Sequence, residues 1–396
     1  MCADASAGTG KRIAYQRRLA RLTQQELASA AGVALGTVRK IELGERGVGE
    51  AVLDSIAAAL GIDIARLLPR PDRADDRVHR AMPKLSAALA TYDMPGDGPT
   101  RPLSELRKEV AETVTWRLAA QYVRIACRAP ELFVELGRAF HSTPVRYRTE
   151  IAELLVAAYR AADAMAFKCG AYDLSARLVD LMRWAAPQAE NPLLEAAVAY
   201  TRAETYFAAE AHAAGLRALE RALGAAASRH SAGPAAVATR GALHMRAAVM
   251  AGRAGDAHVA AAHLSDARSL AAHVPEAVYQ GTEFGPDTVR IHELSVAVSL
   301  GGALVRRVLD TVGAWVPPAG LAAERRSGFY IELARAQLWS GRSEQAFVSL
   351  QTARHIAPQH TREHKWVRED AATLRRLKRG DAESLSKFAE WCRAGE

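Results

Sequence analysis

The residues best suited to bind a charged ligand lie near the amino terminus, and they are basic. Residues 10–40 contain seven basic side chains and one acid, whereas residues 41–68 contain two basic side chains and five acids. The seven are Lys11, Arg12, Arg17, Arg18, Arg21, Arg39 and Lys40. Clustered guanidinium and ammonium groups attract polyanions, since neutralising phosphates releases condensed counterions. The charge pattern therefore predicts a phosphate-binding face in residues 10–40.

A first short helix must position part of this basic segment. Thr23 is a predicted N-cap, and Glu26 three residues later completes a capping box, so we expect a helix from Gln24 to about Ala31. Gly32 supplies the backbone freedom for a turn, and Val33 is expected to fill the space behind it.

A second helix is predicted from Ala34 to about Leu43, with Gly44 ending it. Helical periodicity directs Val38 and Ile41 inward. The remaining side chains are left for the opposite side: Leu35, Gly36, Thr37, Arg39 and Lys40. Further apolar residues are expected to complete a five-helix core: Val52, Leu53, Ile56, Leu60, Ile64, Leu67 and Leu68.

The pattern TQQELA…GV…TVRKIELG resembles the Cro/phage-repressor type of helix-turn-helix, often called the xenobiotic-response-element (XRE) family. The resemblance implies a lambda-repressor-like DNA-binding domain over residues 10–69, with double-stranded DNA as its partner. It implies that Gln24 contacts a phosphate and that Arg17 and Glu42 form a structural ion pair. The DNA contacts it implies are Thr23, Gln24, Ala34, Leu35, Gly36, Thr37, Arg39, Lys40 and Arg46.

Two positions depart from the polar residues that the family often uses for base contacts. Leu35 is suited to a thymine methyl group, and Gly36 offers no side chain. Lys40 is long enough to reach guanine O6 and N7. Direct readout of sequence is therefore expected to depend on few residues.

Beyond this domain the sequence predicts a fold that is all-α. Residues 1–9 are small and polar and are expected to form a disordered tail. Prolines at 69 and 71, a charged run at 72–77 and a second break at 94–102 indicate a linker over 70–102 that contains one helix. Residues 103–396 are rich in Ala, Leu, Arg and Glu, which favour helices.

A weak internal repeat is visible when helical hairpins are aligned on Gly170, Gly255 and Gly341. With frames of 34 residues beginning at 156, 241 and 327, the last frame resembles a tetratricopeptide repeat (TPR) at seven positions. These are Tyr330, Leu333, Ala334, Ala346, Leu350, Ala353 and Pro358. Such hairpins stack into a superhelix, although an irregular helical bundle is the alternative.

In the tetratricopeptide family the ligand-binding face comes from the first helix of each hairpin. The resemblance carries that face onto Arg160, Phe167, Tyr200, Glu204, Phe207, Met245, Arg335 and Leu338. These residues mix aromatic rings with two arginines and one acid, which suits a small-molecule or peptide effector. Core packing is the alternative role for the apolar members.

The complete layout resembles bacterial cytoplasmic regulators that combine a Cro-type DNA reader with a TPR-like sensor and dimerisation domain. The actinobacterial proteins of this type have a similar length, and peptide-responsive quorum-sensing regulators share the architecture more distantly. The resemblance implies a ligand-sensing transcription regulator that binds a palindromic operator as a homodimer. The alternative is an interaction scaffold that binds a protein partner through its repeats, with DNA contact secondary.

No motif of the sequence predicts an enzyme, a cofactor or a metal site. His360 and His364 fit the pattern H-x-x-E-H, but Arg362, Lys365 and Arg368 surround the pair, so a surface helix is the better interpretation. Walker, dinucleotide-binding and nucleophile-elbow motifs are absent. The sequence also contains no run of 18 apolar residues, so we expect no membrane span.

Overall fold

The computed structural model describes residues 2–62, 64, 67, 77–228, 233–312, 315–377 and 382–394. The chain forms two compact units, Met1–Arg77 and Val78–Glu396. Residues 70–76 of the predicted linker lie outside the described residues. No helix in the described part of the chain is long and apolar enough to cross a bilayer.

The first unit contains four described helices: α1 Cys2–Leu19, α2 Gln24–Ala30, α3 Leu35–Glu42 and α4 Glu50–Leu60. Its core contains five of the predicted apolar residues, Val38, Ile41, Leu53, Ile56 and Leu67, together with Ile13 of α1 and Leu27 of α2. The predicted fifth helix lies mostly outside the described residues. Leu68 also lies outside them.

The prediction of a disordered tail over residues 1–9 differs from the structure, in which α1 begins at Cys2. Thr9 is only 4% exposed. Gly10 lies so close to α3 that a Cβ there would stand 1.9 Å from the carbonyl oxygen of Ile41. This close approach draws the start of the chain into the domain.

The second unit contains sixteen described helices, which come in chain order: α5 Arg77–Ala90, α6 Leu103–Leu118, α7 Tyr122–Ser142, α8 Thr149–Lys168, α9 Tyr172–Ala185, α10 Pro192–Ala208, α11 His212–Ser228, α12 Pro234–Arg253, α13 Ala257–Ala271, α14 Pro286–Leu300, α15 Gly302–Val312, α16 Ala323–Trp339, α17 Ser343–Ile356, α18 Pro358–Glu363, α19 Lys365–Leu377 and α20 Ala382–Trp391. Short 3-10 helices occupy Val145–Tyr147 and Ala186–Ala189.

The predicted helical-repeat fold is confirmed. Each of the three aligned glycines joins two helices: Gly170 joins α8 to α9, Gly255 joins α12 to α13, and Gly341 joins α16 to α17. All three have φ between +76° and +82°, a left-handed conformation that glycine adopts without strain. In the last hairpin Ala334, Ala346 and Ala353 are at most 1% exposed, so the two helices pack closely.

The hairpin of α8 and α9 has a polar contact at the two positions that Ala334 and Ala346 occupy in the last hairpin. Asp163 of α8 accepts a hydrogen bond from the Ser175 hydroxyl of α9 at 2.6 Å, and both side chains are buried. Burial raises the pKa of Asp163 well above its usual value. The same twelve-residue spacing recurs in the last hairpin, where Ser349 donates to Gln337 at 2.8 Å.

The helix predicted within the linker belongs to the second unit. Val78, Leu85, Ala88 and Leu89 of α5 are buried in the same core cluster as α6 to α9. The second unit therefore begins before residue 103, because α5 has its own apolar stripe and buries it there.

One short antiparallel β-hairpin interrupts the helices. Strands β1 (Ala277–Tyr279) and β2 (Thr282–Phe284) pair in the register Ala277–Phe284 and Tyr279–Thr282. The turn residues Gln280 and Gly281 both have positive φ, as a tight two-residue hairpin turn requires. Three residues per strand are too few to show the alternation by which sequence analysis detects strands.

Candidate DNA-binding surface and interior ligand site

The outer side of α3 is open to solvent. Gly36, Arg39 and Lys40 are exposed, and Thr37 is half-buried, whereas Val38 and Ile41 on the opposite side are at most 1% exposed. The basic edge is therefore accessible, and the apolar edge secures the helix to the core.

The other residues in the predicted DNA-binding set lie around this edge. Ala34 is the exposed N-cap of α3, and Arg46 is exposed just beyond its end. Leu35 is half-buried against the core cluster of this unit, so much of its apolar surface is used for packing. Thr23 caps α2: its hydroxyl accepts from the Glu26 amide at 3.2 Å, and its amide donates to Glu26 at 2.6 Å.

A network of ionic hydrogen bonds fixes the orientation of α3. Arg17 of α1 donates to both carboxylate oxygens of Glu42, at 2.7 and 3.0 Å, and to the carbonyl oxygen of Leu22 at 2.8 Å. Gln24 donates to the same carboxylate at 2.7 Å. Burial opposes ionisation of Glu42, but the bonds from Arg17 and Gln24 outweigh it and lower its pKa. Glu42 thus joins α1, α2 and α3.

A second polar region runs from the interior of the helical unit, at Tyr200, to its surface, where Arg253 and Trp339 are exposed. We define the arginine–aromatic ladder as a series in which guanidinium groups lie within 6 Å of the centroids of neighbouring rings. The series contains Arg160, Tyr200, Arg246, Phe207, Arg253, Trp366, Arg335 and Trp339. The closest contact is 4.0 Å, between Arg246 and the ring of Tyr200. The ladder connects residues of α8, α10, α12, α16 and α19.

Tyr200 stands among three cations. Its hydroxyl accepts a hydrogen bond from Arg325 at 3.1 Å, and Arg246 and Arg160 lie over its ring. Burial alone would raise the pKa of the phenol, but the charges of Arg246 and Arg325 dominate and lower it to about 8. The environment therefore favours negative charge at this point.

The nearby acids only partly balance these cations. Arg246 pairs with Glu204 at 3.4 Å, and Arg325 with Glu283 at 3.7 Å. The Nε of Arg246 is buried without a hydrogen-bond partner. Polar atoms in this state are expected to bind water or a ligand.

A cavity of about 300 Å³ adjoins the ladder at Arg160. It is lined by Arg117, Arg160, Thr201, the hairpin tip and apolar side chains that include Val156 and Leu194. Arg160 donates to the carbonyl oxygen of Gln280 at 2.8 Å and Arg117 to that of Gly281 at 2.8 Å, so two arginines hold the tip of the β-hairpin at the cavity. Burial lowers the pKa of Arg160 to about 9.

The structure brings together half of the predicted ligand-binding residues. Arg246 contacts three of them, namely Tyr200, Glu204 and Phe207. The fourth, Arg160, lies over the ring of Tyr200. The other four lie apart from this group.

Met245 is fully buried in the core cluster around α12, and Leu338 packs into the carboxyl-terminal core. Phe167 packs against Tyr172 in a tilted arrangement, with ring centroids 5.6 Å apart. Arg335 belongs to the far end of the ladder, where Asp370 accepts its hydrogen bonds at 3.0–3.2 Å. Met245 and Leu338 therefore pack in the core and do not line a groove with Arg160.

The surface interpretation of the H-x-x-E-H segment was wrong for its first histidine. His360 is 1% exposed and forms a 2.6 Å hydrogen bond with the Ser327 hydroxyl. His364 lies just after α18 and accepts from the amide of Trp366 at 3.2 Å. Burial lowers the pKa of both imidazoles well below the usual value, so both are neutral. His360 belongs to the core, whereas His364 is half-buried.

Several residues at the interior site were missed by the sequence analysis, namely Arg117, Arg246, Arg253, Arg325 and Trp366. Arg246 and Arg253 occupy positions 6 and 13 of the frame that begins at 241, next to the face taken from the repeat family. Arginines at both positions of one helix, seven residues apart, were the signal available in the sequence.

Comparison with known proteins identifies the first unit. Residues 13–67 match the family model described as helix-turn-helix. The first unit is a helix-turn-helix domain of the Cro/XRE type, as predicted. No curated protein matches the chain at a significant level.

Three solved structures have a distant similarity to the chain. Bacillus thuringiensis PlcR in complex with the peptide PapR7 and DNA is 15% identical, covering 67% of this chain and 94% of PlcR, with a TM-score of 0.25. The apo form of the competence regulator ComR from Streptococcus vestibularis is 11% identical, covering 95% and 99% of the two chains, with a TM-score of 0.30. Apo ComR from S. thermophilus is 10% identical, covering 98% of both chains, with a TM-score of 0.29. Similarity of this degree adds nothing to the fold described above.

Proposed function

We propose that this protein is a transcription regulator that reads double-stranded DNA with the exposed edge of α3. The observation that carries the proposal is the accessible basic edge at Thr37, Arg39 and Lys40, on a helix that Glu42 orients through Arg17 and Gln24. Helices presented in this way enter the major groove. Arg39 and Lys40 supply both phosphate attraction and donors for base edges.

Gln24 would serve two purposes in this interface. Its side-chain amide carries two N–H groups, and one of them bonds Glu42. The other is available for a phosphate oxygen. A phosphate contact made by the residue that orients α3 would set the register of the helix on the duplex.

We propose that the protein acts as a homodimer on a palindromic operator. A single small domain with Leu35 and Gly36 on its reading helix makes few base-specific contacts. Pairing two domains on half-sites about one helical turn apart increases the ratio of operator affinity to non-specific DNA affinity. We place this activity in the bacterial cytoplasm and assign the protein no catalytic role.

We further propose that the helical unit senses a small anionic molecule. The cavity volume of about 300 Å³ lies at the small end of the range for ligand pockets. Arg117 and Arg160 line it, and Arg246 and Arg325 stand behind Tyr200. These cations would form ionic hydrogen bonds with a carboxylate or phosphate group.

The DNA-binding proposal is tested by a gel shift of the full chain on the duplex upstream of its own gene. We expect a retarded complex at nanomolar protein whose affinity falls steeply with salt. Lys365→Ala is the matched control for Lys40→Ala. It removes the same positive charge from an exposed position in the helical unit. Absence of a complex at micromolar protein, with capture of a protein partner by the helical unit, would favour the scaffold alternative.

The sensing proposal is tested by native mass spectrometry of the purified full chain. We expect a bound small anion in the wild type, its loss in Arg160→Met and partial retention in Arg160→Lys. Arg290→Met is the control, because Arg290 also lies over an aromatic ring, 4.9 Å from the centroid of Trp315, but outside the ladder. Equal occupancy in all four proteins would refute the assignment, and a bound peptide would show a different effector class.

A further inference from the structure

Three potential metal ligands converge between the helices of the hairpin α12–α13. His244 lies on α12, and His263 and Asp266 lie one turn apart on α13. The two histidine Nδ1 atoms are 3.0 Å apart, and an oxygen of Asp266 lies 3.5 Å from Nδ1 of His244. All three ligand atoms lie within 4.8 Å of one another.

We propose that His244, His263 and Asp266 bind a divalent transition-metal ion of the zinc class. Ligand atoms about 2.0–2.1 Å from one tetrahedral zinc ion are separated by about 3.3 Å, which is close to the two distances observed here. Two imidazoles and one carboxylate form a donor set that zinc, copper and nickel accept. The set leaves a fourth position for water or another ligand.

Each imidazole must present a lone pair to a bound metal. In the free protein one Nδ1 must donate to the other across 3.0 Å, so binding requires a change of tautomer that moves this proton to Nε2.

The surrounding charges are mixed. Asp266 is 60% exposed at its side chain, so the site is accessible from solvent, whereas His244 is only 17% exposed. The negative charge of Glu220 on α11 acts on His263, and the positive charge of Arg240 acts on His244. The acids outnumber the single arginine, which favours a dication.

A bound metal would connect α12 to α13 near the interior site. Helix α12 also carries Arg246 and Arg253 of the ladder. An ion held across the hairpin would therefore stabilise the helix that presents these two cations.

The inference is tested by calorimetric titration of ZnCl₂ into the chelator-treated, dialysed full chain. We expect about one tight equivalent in the wild type. Affinity should fall more than about a hundredfold in His244→Ala or His263→Ala, and more than about tenfold in Asp266→Asn. The matched control is His258→Ala, because His258 is an exposed histidine on the same helix α13, outside the cluster.

A second readout separates ligand loss from misfolding. Zinc should raise the unfolding temperature of the wild type and of His258→Ala, and leave that of His244→Ala unchanged. The circular dichroism of each variant without metal should match the wild type. Equal zinc affinity in His244→Ala, His263→Ala and His258→Ala would overturn the assignment, as would no tight binding in the wild type.

Discussion

The guanidinium carbon of Arg246 lies 4.0 Å from the centre of the Tyr200 ring, and the Tyr200 hydroxyl accepts a hydrogen bond from Arg325. A buried phenol beside two cations is an unusual environment, because burial and charge act on the pKa in opposite directions. Here the charges dominate, and this part of the helical unit favours an anion.

Tyr200 should titrate with a pKa of about 8, below the usual value of 10. Because the folded-state pKa is lowered, the phenolate adds stability in full above about pH 10, and that stability is lost as the pH falls through about 8. The contribution of the phenolate to the free energy of unfolding is about 3 kcal/mol. NMR of the chain with labelled tyrosine should show one early titration that disappears in Tyr200→Phe.

Arg246→Met should raise this pKa, because it removes the nearest cation from the ring. Tyr206→Phe provides the control and should leave the early titration in place. Tyr206 also lies beneath an arginine, with its ring centroid 5.3 Å from the guanidinium carbon of Arg202, but it is outside the ladder. If no tyrosine titrates below pH 9 in the wild type, the cations do not act on Tyr200 as described.

Gly36→Ala should stabilise the helix-turn-helix domain. Gly36 is an exposed residue of α3, and a Cβ placed on it meets no atom within 4 Å. Alanine gains up to about 1 kcal/mol in a helix relative to glycine. Hydrogen exchange followed by mass spectrometry should show slower exchange of the α3 amides.

Gly10→Ala is the opposite case and serves as the comparison. A Cβ at Gly10 would stand 1.9 Å from the Ile41 carbonyl oxygen, so α1 and α3 must separate. We expect a loss of about 1–3 kcal/mol and faster exchange in both helices. Equal protection in the two variants would show that α1 does not pack on α3 in this way.

Arg17 and Glu42 should behave as a coupled pair. Their side chains are 11% and 6% exposed, so removing either one leaves a buried charge without its partner. We expect Arg17→Met and Glu42→Gln each to cost about 3–5 kcal/mol, with the double variant much less than additive. Arg18→Met, at an exposed neighbouring position, should have little effect. Exchange protection of α2 and α3 measures the stability of the wild type, the two single variants and the double variant, which together form a double-mutant cycle.

The same pair should make the domain sensitive to acid. The pKa of Glu42 is lowered, chiefly by hydrogen bonds that outweigh its burial. Its contribution is therefore present above the unfolded value, about 4.3, and is lost as the pH falls through the lower folded value. Exchange protection of α3 should fall over this range in the wild type and fall less in the double variant. Identical acid profiles would contradict the role of the pair.

The helix-turn-helix was accessible from sequence because its determinants are local. Thr23, Glu26 and Gly32 specify a cap and a turn within ten residues, and Val38 and Ile41 follow helical spacing. The hairpin of α16 and α17 was visible for the same reason, since small residues at fixed spacing allow two helices to cross closely.

The interior site was less accessible because its contacts join residues that are distant in the chain. Tyr200 and Arg325 are 125 positions apart, and the hairpin tip that Arg160 holds lies 120 positions away. Nothing local separates Met245, which is buried, from Arg246, which contacts Tyr200, because an offset of one residue in the repeat frame exchanges the two. The helical start of the chain was missed because the packing of Gly10 depends on the distant Ile41.

The central claim is that α3 reads bases, and it is tested most directly by selecting binding sites from random duplex DNA with the full chain. The wild type should enrich an inverted repeat, and Lys40→Ala should relax the preference at one position in each half-site, by about 1–3 kcal/mol. Lys365→Ala should enrich the wild-type motif. Enrichment of no motif by the wild type, or of the same motif with equal strength by Lys40→Ala, would contradict the account.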